Sequence, residues 1–108
     1  MSDRVLSMFG LCRKAGKISL GHDASIASIK KGHAKLCLLC KDISERAACE
    51  LQRACVNLNG GRTELIRTSF TMDEIHTATG FKAGVLTIDD EGFAKKISQL
   101  LRNTTGEE

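Results

Sequence analysis

Apolar residues recur along this chain in two rhythms, and glycines or capping residues mark each switch between them. Asp3–Ala15 carries Val5, Phe9 and Cys12 at helical spacing, with Leu6 beside them, which predicts a helix stopped by Gly16. Gly10 inside it marks a place for close packing. Lys17–Leu20 reads as a short strand, and His22–Lys31 as a second helix closed by Gly32. Ile26 and Ile29, with Ala24 and Ala27, are expected to face the sheet. Lys35–Lys41 holds a continuous apolar run, the pattern of a strand buried on both faces. Ser44 caps a third helix reaching about Leu58, with Ala48, Leu51, Cys55 and Leu58 as its apolar stripe, and Asn59-Gly60-Gly61 turns the chain after it. Thr63–Arg67 is a weaker strand.

Thr71-Met72-Asp73-Glu74 has the form of a capping box, and Phe70 and Ile75 stand where a hydrophobic staple would, so a helix is predicted over Met72–Thr79. Gly80–Gly84 is a loop with a glycine at each end, and Val85–Ile88 is a strand. Asp89 or Asp90 caps the last helix, whose Phe93, Ile97, Leu100 and Leu101 face inward. Asn103–Glu108 is polar and expected to fray.

Strands alternating with helices predict an α/β fold, a three-layer α/β/α sandwich with one sheet covered on both faces. At 108 residues the chain forms one domain, 1–108. A domain of this size buries roughly 60–65% of its extended surface, enough for a core without disulfides. No apolar run is long enough to span a membrane, and MSDRVLSMFG has no apolar signal core, so a cytosolic (cytoplasmic) location is expected.

Charge changes this picture through its placement. The net charge is +3, but residues 1–62 hold 11 Lys/Arg against 5 Asp/Glu, whereas residues 63–108 hold 5 against 8. The excess is densest from Arg13 to Lys35, where six cations face one acid, Asp23. Within that stretch RKAGKISLGHDASIASI sets a basic turn, a short strand and Gly21 directly before a helix. A helix start carries unpaired N–H donors and the positive end of the dipole, so this spot suits a phosphate. An ordinary strand-to-helix turn with solvated lysines has the same sequence signature.

Candidate chemistry is otherwise sparse. The five cysteines, at 12, 37, 40, 49 and 55, are odd in number and read as free thiols. Cys37 and Cys40 have CxxC spacing, but on a strand residues i and i+3 point to opposite faces, and no second pair completes a zinc site. There is no GxSxG, GxxxxGK[ST] or GxGxxG, and His22, His33 and His76 have no metal-ligand spacing. No catalytic residue, cofactor or metal is therefore expected. Four Phe and no Tyr or Trp leave few platforms for a flat aromatic RNA-binding sheet. A groove-filling helix backed by cations remains.

The order RKAGK, short strand, glycine, helix, KKGHAKLCLLCKD, then TGFKAGVLTIDDEGFAKKI resembles the L-seven-Ae family of ribosomal and kink-turn RNA-binding proteins, and most of all its small stand-alone bacterial members. The resemblance covers roughly Asp3 to Leu101, with AKLCLLCKD and DEGFAKKI its most specific pieces. It implies an α/β/α sandwich with a mixed four-stranded sheet, no catalysis and no cofactor. It also implies RNA seated on the start of the second helix and on the loop before the fourth strand. Gly21 matches the family glycine that lets backbone approach RNA. Asp23, Ala24 and Ala27 stand where the family commonly has asparagine, glutamate and lysine, the side chains that read tandem sheared G·A pairs. Phe81 or Ala83 would pack against an extruded base, and Lys82 would reach a phosphate.

The candidate RNA-binding set is Lys14, Lys17, Gly21, His22, Asp23, Ala24, Ser25, Lys35, Phe81, Lys82 and Ala83. Three readings stay open at this point. One is a non-enzymatic binder of structured RNA, kink-turn-like or ribosomal, attached to the ribosome or translation, with altered kink-turn selectivity. The second is a protein-interaction adaptor that keeps the fold without RNA recognition. The third is a thiol-based redox or metal site around Cys37 and Cys40.

Overall fold

The computed structural model of the protein describes residues 2–106. Elements follow in the order α1 (Ser2–Lys14), β1 (Ile18–Leu20), α2 (His22–Lys31), β2 (Leu36–Leu39), α3 (Glu45–Asn57), a 3-10 turn (Asn59–Gly61), β3 (Glu64–Arg67), α4 (Met72–Thr79), β4 (Val85–Ile88) and α5 (Glu91–Gly106). The sheet order is β1-β4-β2-β3, with β2 and β3 parallel and both other pairings antiparallel. The mixed four-stranded sheet of the α/β/α sandwich is thus present.

Strand alternation sorts the core into two layers. Leu36, Leu38, Cys40, Leu86 and Ile88 join Val5, Phe9 and Cys12 of α1, Ile75 of α4 and Ile97 of α5 in one cluster. Cys37, Leu39 and Val85 join Ile29 of α2 with Ala48 and Leu51 of α3 in the other. Cys37 and Cys40 therefore lie on opposite faces of the sheet, as the strand period requires. Phe9 meets Phe70 edge to face, with ring centroids 5.7 Å apart.

The helix ends follow local chemistry. Ser44 Oγ accepts the Ala47 N–H at 3.2 Å, and Thr71 and Glu74 close a reciprocal capping box at the start of α4. At α5 it is Asp90 that caps, accepting the Phe93 N–H at 2.9 Å. Asp89 does something else. Its carboxylate accepts hydroxyl hydrogen bonds from Ser19 (2.6 Å), Ser28 (2.6 Å) and Thr87 (3.0 Å), tying β1, α2 and β4 together.

That knot corrects one expectation. Ala24 and Ala27 are exposed, and α2 turns Ser25, Ser28 and Ile29 inward instead, with Ile26 half-buried on the same cluster. A methyl group gains little by burial, whereas Ser28 gains a charge-assisted hydrogen bond to Asp89, so the helix rotates toward the serines. The residues expected as a polar tail from Asn103 have helical backbone through Gly106, and Glu107 and Glu108 lie outside the described residues.

Candidate nucleic-acid interface

Gly21 is where strand β1 becomes helix α2, and its backbone decides the geometry there. With φ 100° and ψ 167° it occupies a region open almost only to glycine. Its N–H donates to Val85 O at 2.9 Å, and its carbonyl accepts the Ser25 N–H at 3.0 Å, the first bond of α2. A side chain caps each of α3, α4 and α5, but none caps α2. Its first-turn N–H groups are left for an acceptor from outside, at the positive end of the helix dipole.

The loop before β4 closes against this point. A Cβ placed on Gly21 would stand 3.8 Å from Phe81 Cε1, so the ring flanks the helix start, and Phe81 is 48% exposed. Arg13, from the last turn of α1, donates to the carbonyl of Thr79, and its guanidinium lies beside Gly80. Thr79 Oγ1 accepts the Phe81 N–H at 3.2 Å and fixes the turn. The outcome is one contiguous surface: bare amides, an exposed aromatic ring, the exposed Ala24 and Ala27 methyls, and Arg13.

Carboxylates accompany it. His22 Nε2 lies 2.8 Å from Glu50 of α3, and His22 Nδ1 lies 3.4 Å from the exposed Asp23 carboxylate. Lys82 pairs with Asp73 at 3.4 Å, both side chains largely exposed, an ion pair of little worth that an incoming phosphate can replace. Lys82 is therefore matched by one acid and His22 is flanked by two, while Arg13 is held by a carbonyl.

The structure brings Gly21, His22, Asp23, Ala24, Phe81 and Lys82 together at this end of the sheet. Ser25 and Ala83 belong elsewhere. Ser25 is fully buried with an unpartnered hydroxyl, and Ala83 is packed in the core, because each faces the sheet across its own backbone. Lys14 is exposed beside Gly10, Ala78 and Thr79, on the groove between α1 and α4.

Lys17 and Lys35 lie at the opposite end of the sheet. Asp89 N–H donates to Lys17 O, and Lys35 N–H donates to Ile88 O, so both flank the far end of β4. Gly21 is tied to its near end at Val85, roughly 10 Å away at the usual strand rise. Sequence adjacency of Lys17 and Gly21 hides this, because the intervening strand runs the length of the sheet. Arg13 was missing from the candidate set, although the basic turn contained it. Glu50 was invisible, because it is 28 residues from His22 and only packing of α2 on α3 joins them.

The thiols have no comparable surface. Cys12, Cys37, Cys40 and Cys55 are buried and free, and Cys49 is exposed. Hydrogen bonding to Cys55 together with burial pushes the Cys37 thiol up, and burial, then Asp42 and Glu74, pushes Cys40 up to about 12. Such thiols stay protonated and are poor nucleophiles or ligands. Among the described residues no group of three or more His, Cys, Asp or Glu is arranged to hold a metal ion, and no helix is long and apolar enough to cross a membrane.

Comparison with known proteins adds four findings. The pattern of the Ribosomal protein L7Ae/L30e/S12e/Gadd45 family matches residues 3–98. An Enterococcus faecium protein, RNA-binding protein YlxQ, is 30% identical over 98 residues, which span 91% of this chain and 91% of that protein. Among solved structures, a Bacillus halodurans protein of unknown function aligns over 92% of this chain and 97% of its own, with a TM-score of 0.81 and 20% identity. A Giardia lamblia 15.5kD RNA binding protein aligns over 94% and 88%, with a TM-score of 0.72 and 15% identity. The two structural likenesses concern the fold.

Proposed function

The chain belongs to the Ribosomal protein L7Ae/L30e/S12e/Gadd45 family, and on that footing we propose that it is a non-enzymatic, single-domain, cytoplasmic binder of structured RNA, working with the ribosome or translation. The observation that carries this reading is the uncapped start of α2 at Gly21, flanked by the exposed Phe81 ring. Amides at a helix start donate to a phosphate, and an exposed ring stacks on an extruded base.

Selectivity follows from which side chains stand on that surface. Asp23 presents a carboxylate that only accepts, so it favours a base edge rich in N–H donors and repels a phosphate. Ala24 and Ala27 present methyls and read nothing. RNA with a sharp bend and an extruded base is the expected ligand, with weaker dependence on sheared G·A pairs than a polar trio would give. The matched carboxylates around His22 and Lys82 favour a second reading, an adaptor that binds protein through this surface.

Titration of a kink-turn RNA against wild type and Phe81→Ala separates the two. Stacking on an aromatic ring is worth about 1–3 kcal/mol, so the variant is expected to bind about 5- to 150-fold more weakly. Its fold should hold, because the ring is half-exposed and belongs to neither core cluster. A wild-type protein that binds neither this RNA nor any structured RNA bound in cells refutes the proposal and leaves the adaptor.

A further inference from the structure

A second group of cations lies at the opposite end of the sheet from Gly21. Between the starts of β2 and β3 and one side of α5 runs a groove of about 640 Å³. Lys35, Arg62, Lys95 and Arg102 line it, against only Glu64 and Glu91. Arg102 is held by Glu64 at 2.9 Å. Among the described residues, Lys35, Arg62 and Lys95 make no ion pair. Lys17 adds its charge nearby, since its carbonyl and the Lys35 amide bracket the far end of β4.

We infer that this groove is a second RNA-binding surface, one that takes the phosphodiester backbone, so that an RNA held at Gly21 extends or folds back to the Lys35 end. The inference rests on the RNA-binding reading of the Gly21 surface and deepens it. The whole molecule measures 32 × 29 × 28 Å, so an RNA strand reaches both ends without stretching. Four cations face two acids along the groove, and no aromatic side chain lines it. Those are the features of a backbone contact that positions RNA, while base reading stays at Phe81. Lys35 and Arg62 come from the cation-rich residues 1–62, but only the fold gathers them with Lys95 and Arg102, and no sequence run announces the set.

Salt separates the two surfaces. Each phosphate neutralised by a cation contributes roughly 0.7–0.9 to the slope of log affinity against log salt. Two kink-turn RNAs serve as probes, one with stems trimmed to the motif and one with an extended stem. The triple variant Lys35→Gln/Arg62→Gln/Lys95→Gln changes only exposed side chains. It is expected to weaken binding of the extended RNA at low salt and to make its slope shallower by about 2–3, while binding of the trimmed RNA stays as in wild type. Glu64→Gln removes an acid and releases Arg102, so it is expected to tighten binding of the extended RNA, a gain that misfolding does not produce. An unchanged affinity and slope for the triple variant overturns the inference and leaves the groove to an acidic protein or to solvent. Loss on Phe81→Ala with no loss on the triple variant removes only this second surface. Absence of all RNA binding by wild type removes both.

Discussion

Replacing Gly21 by alanine tests the link between backbone conformation and the binding surface. At φ 100° and ψ 167° an L-residue is strained by about 1–3 kcal/mol. Crowding adds nothing, because the new methyl meets only Phe81 Cε1 at 3.8 Å, an ordinary contact. The chain can escape the strain only by turning the residue. Doing so gives up the Gly21 N–H bond to Val85 or the Ser25 N–H bond to Gly21, each worth about 0.5–1.5 kcal/mol net. Both routes lead to the same expectation: Gly21→Ala unfolds at lower urea, with a loss of about 1–3 kcal/mol.

Gly32 supplies the control. It ends α2 at φ 82° and ψ 11°, the left-handed region that asparagine tolerates. Gly32→Asn is expected to cost little, and Gly21→Asn the full amount, since asparagine has no privilege at the conformation of Gly21. RNA affinity is measured at a temperature where every variant is folded. Gly21→Ala should bind more weakly even then, because any relaxation re-aims the first-turn amides. A Gly21→Ala protein within about 0.5 kcal/mol of wild type, binding RNA equally well, refutes the reasoning.

Two further outcomes concern the interior. Asp89→Ala strands the hydroxyls of Thr87 and Ser28, both buried, at about 1–3 kcal/mol each, so urea denaturation should show a loss of at least about 2 kcal/mol; Asp89→Asn keeps one accepting oxygen and should lose less, and an Asp89→Ala protein as stable as wild type counts against the clamp. Burial, then Asp90 and Asp89, raises the Cys12 thiol from its ordinary 9.0 to about 11, and a raised acid contributes stability that is complete below pH 9 and is lost as pH climbs toward 11 and beyond, so Tm should hold up to about pH 9 and fall above it, while thiol titration at neutral pH finds Cys49 fast and the four buried thiols masked until urea is added.

What the sequence made legible was local. The capping box at Thr71, the glycine stops at Gly32 and Gly80 and the apolar run of β2 each act within a few residues, and each stands where the pattern placed it. The rotation of α2 was not legible, because its small residues give no clear apolar stripe and the deciding partner of Ser28 is Asp89, 61 residues away. The candidate site was legible as a place, because Gly21 and the Phe81 loop do meet, and illegible as a charge distribution. Lys17 and Lys35 looked contiguous with Gly21 because sheet order and strand direction are not written in the spacing of charges. Burial of Ser25 follows from that rotation, and burial of Ala83 comes from packing of its loop on the core, which no local pattern announces.

The separation of bare amides from cations has a consequence for how this surface discriminates. A protein that packs lysines around its base-reading site gains affinity for every RNA alike, and the gain vanishes as salt rises. On the proposed reading, Asp73 pairs Lys82 and Asp23 and Glu50 flank His22 beside Phe81, so contacts at that end would depend chiefly on the shape of the RNA and on hydrogen bonds that salt screens weakly. The excess charge sits across the sheet, where it cannot reward a wrong base at Phe81. Under the two-ended reading, raising salt strips the backbone contacts first and leaves the shape-dependent ones, so the ratio of affinities for bent over unbent RNA of equal length rises with ionic strength. A basic patch coincident with the reading site gives the opposite trend, or none, because the same cations then serve every ligand equally.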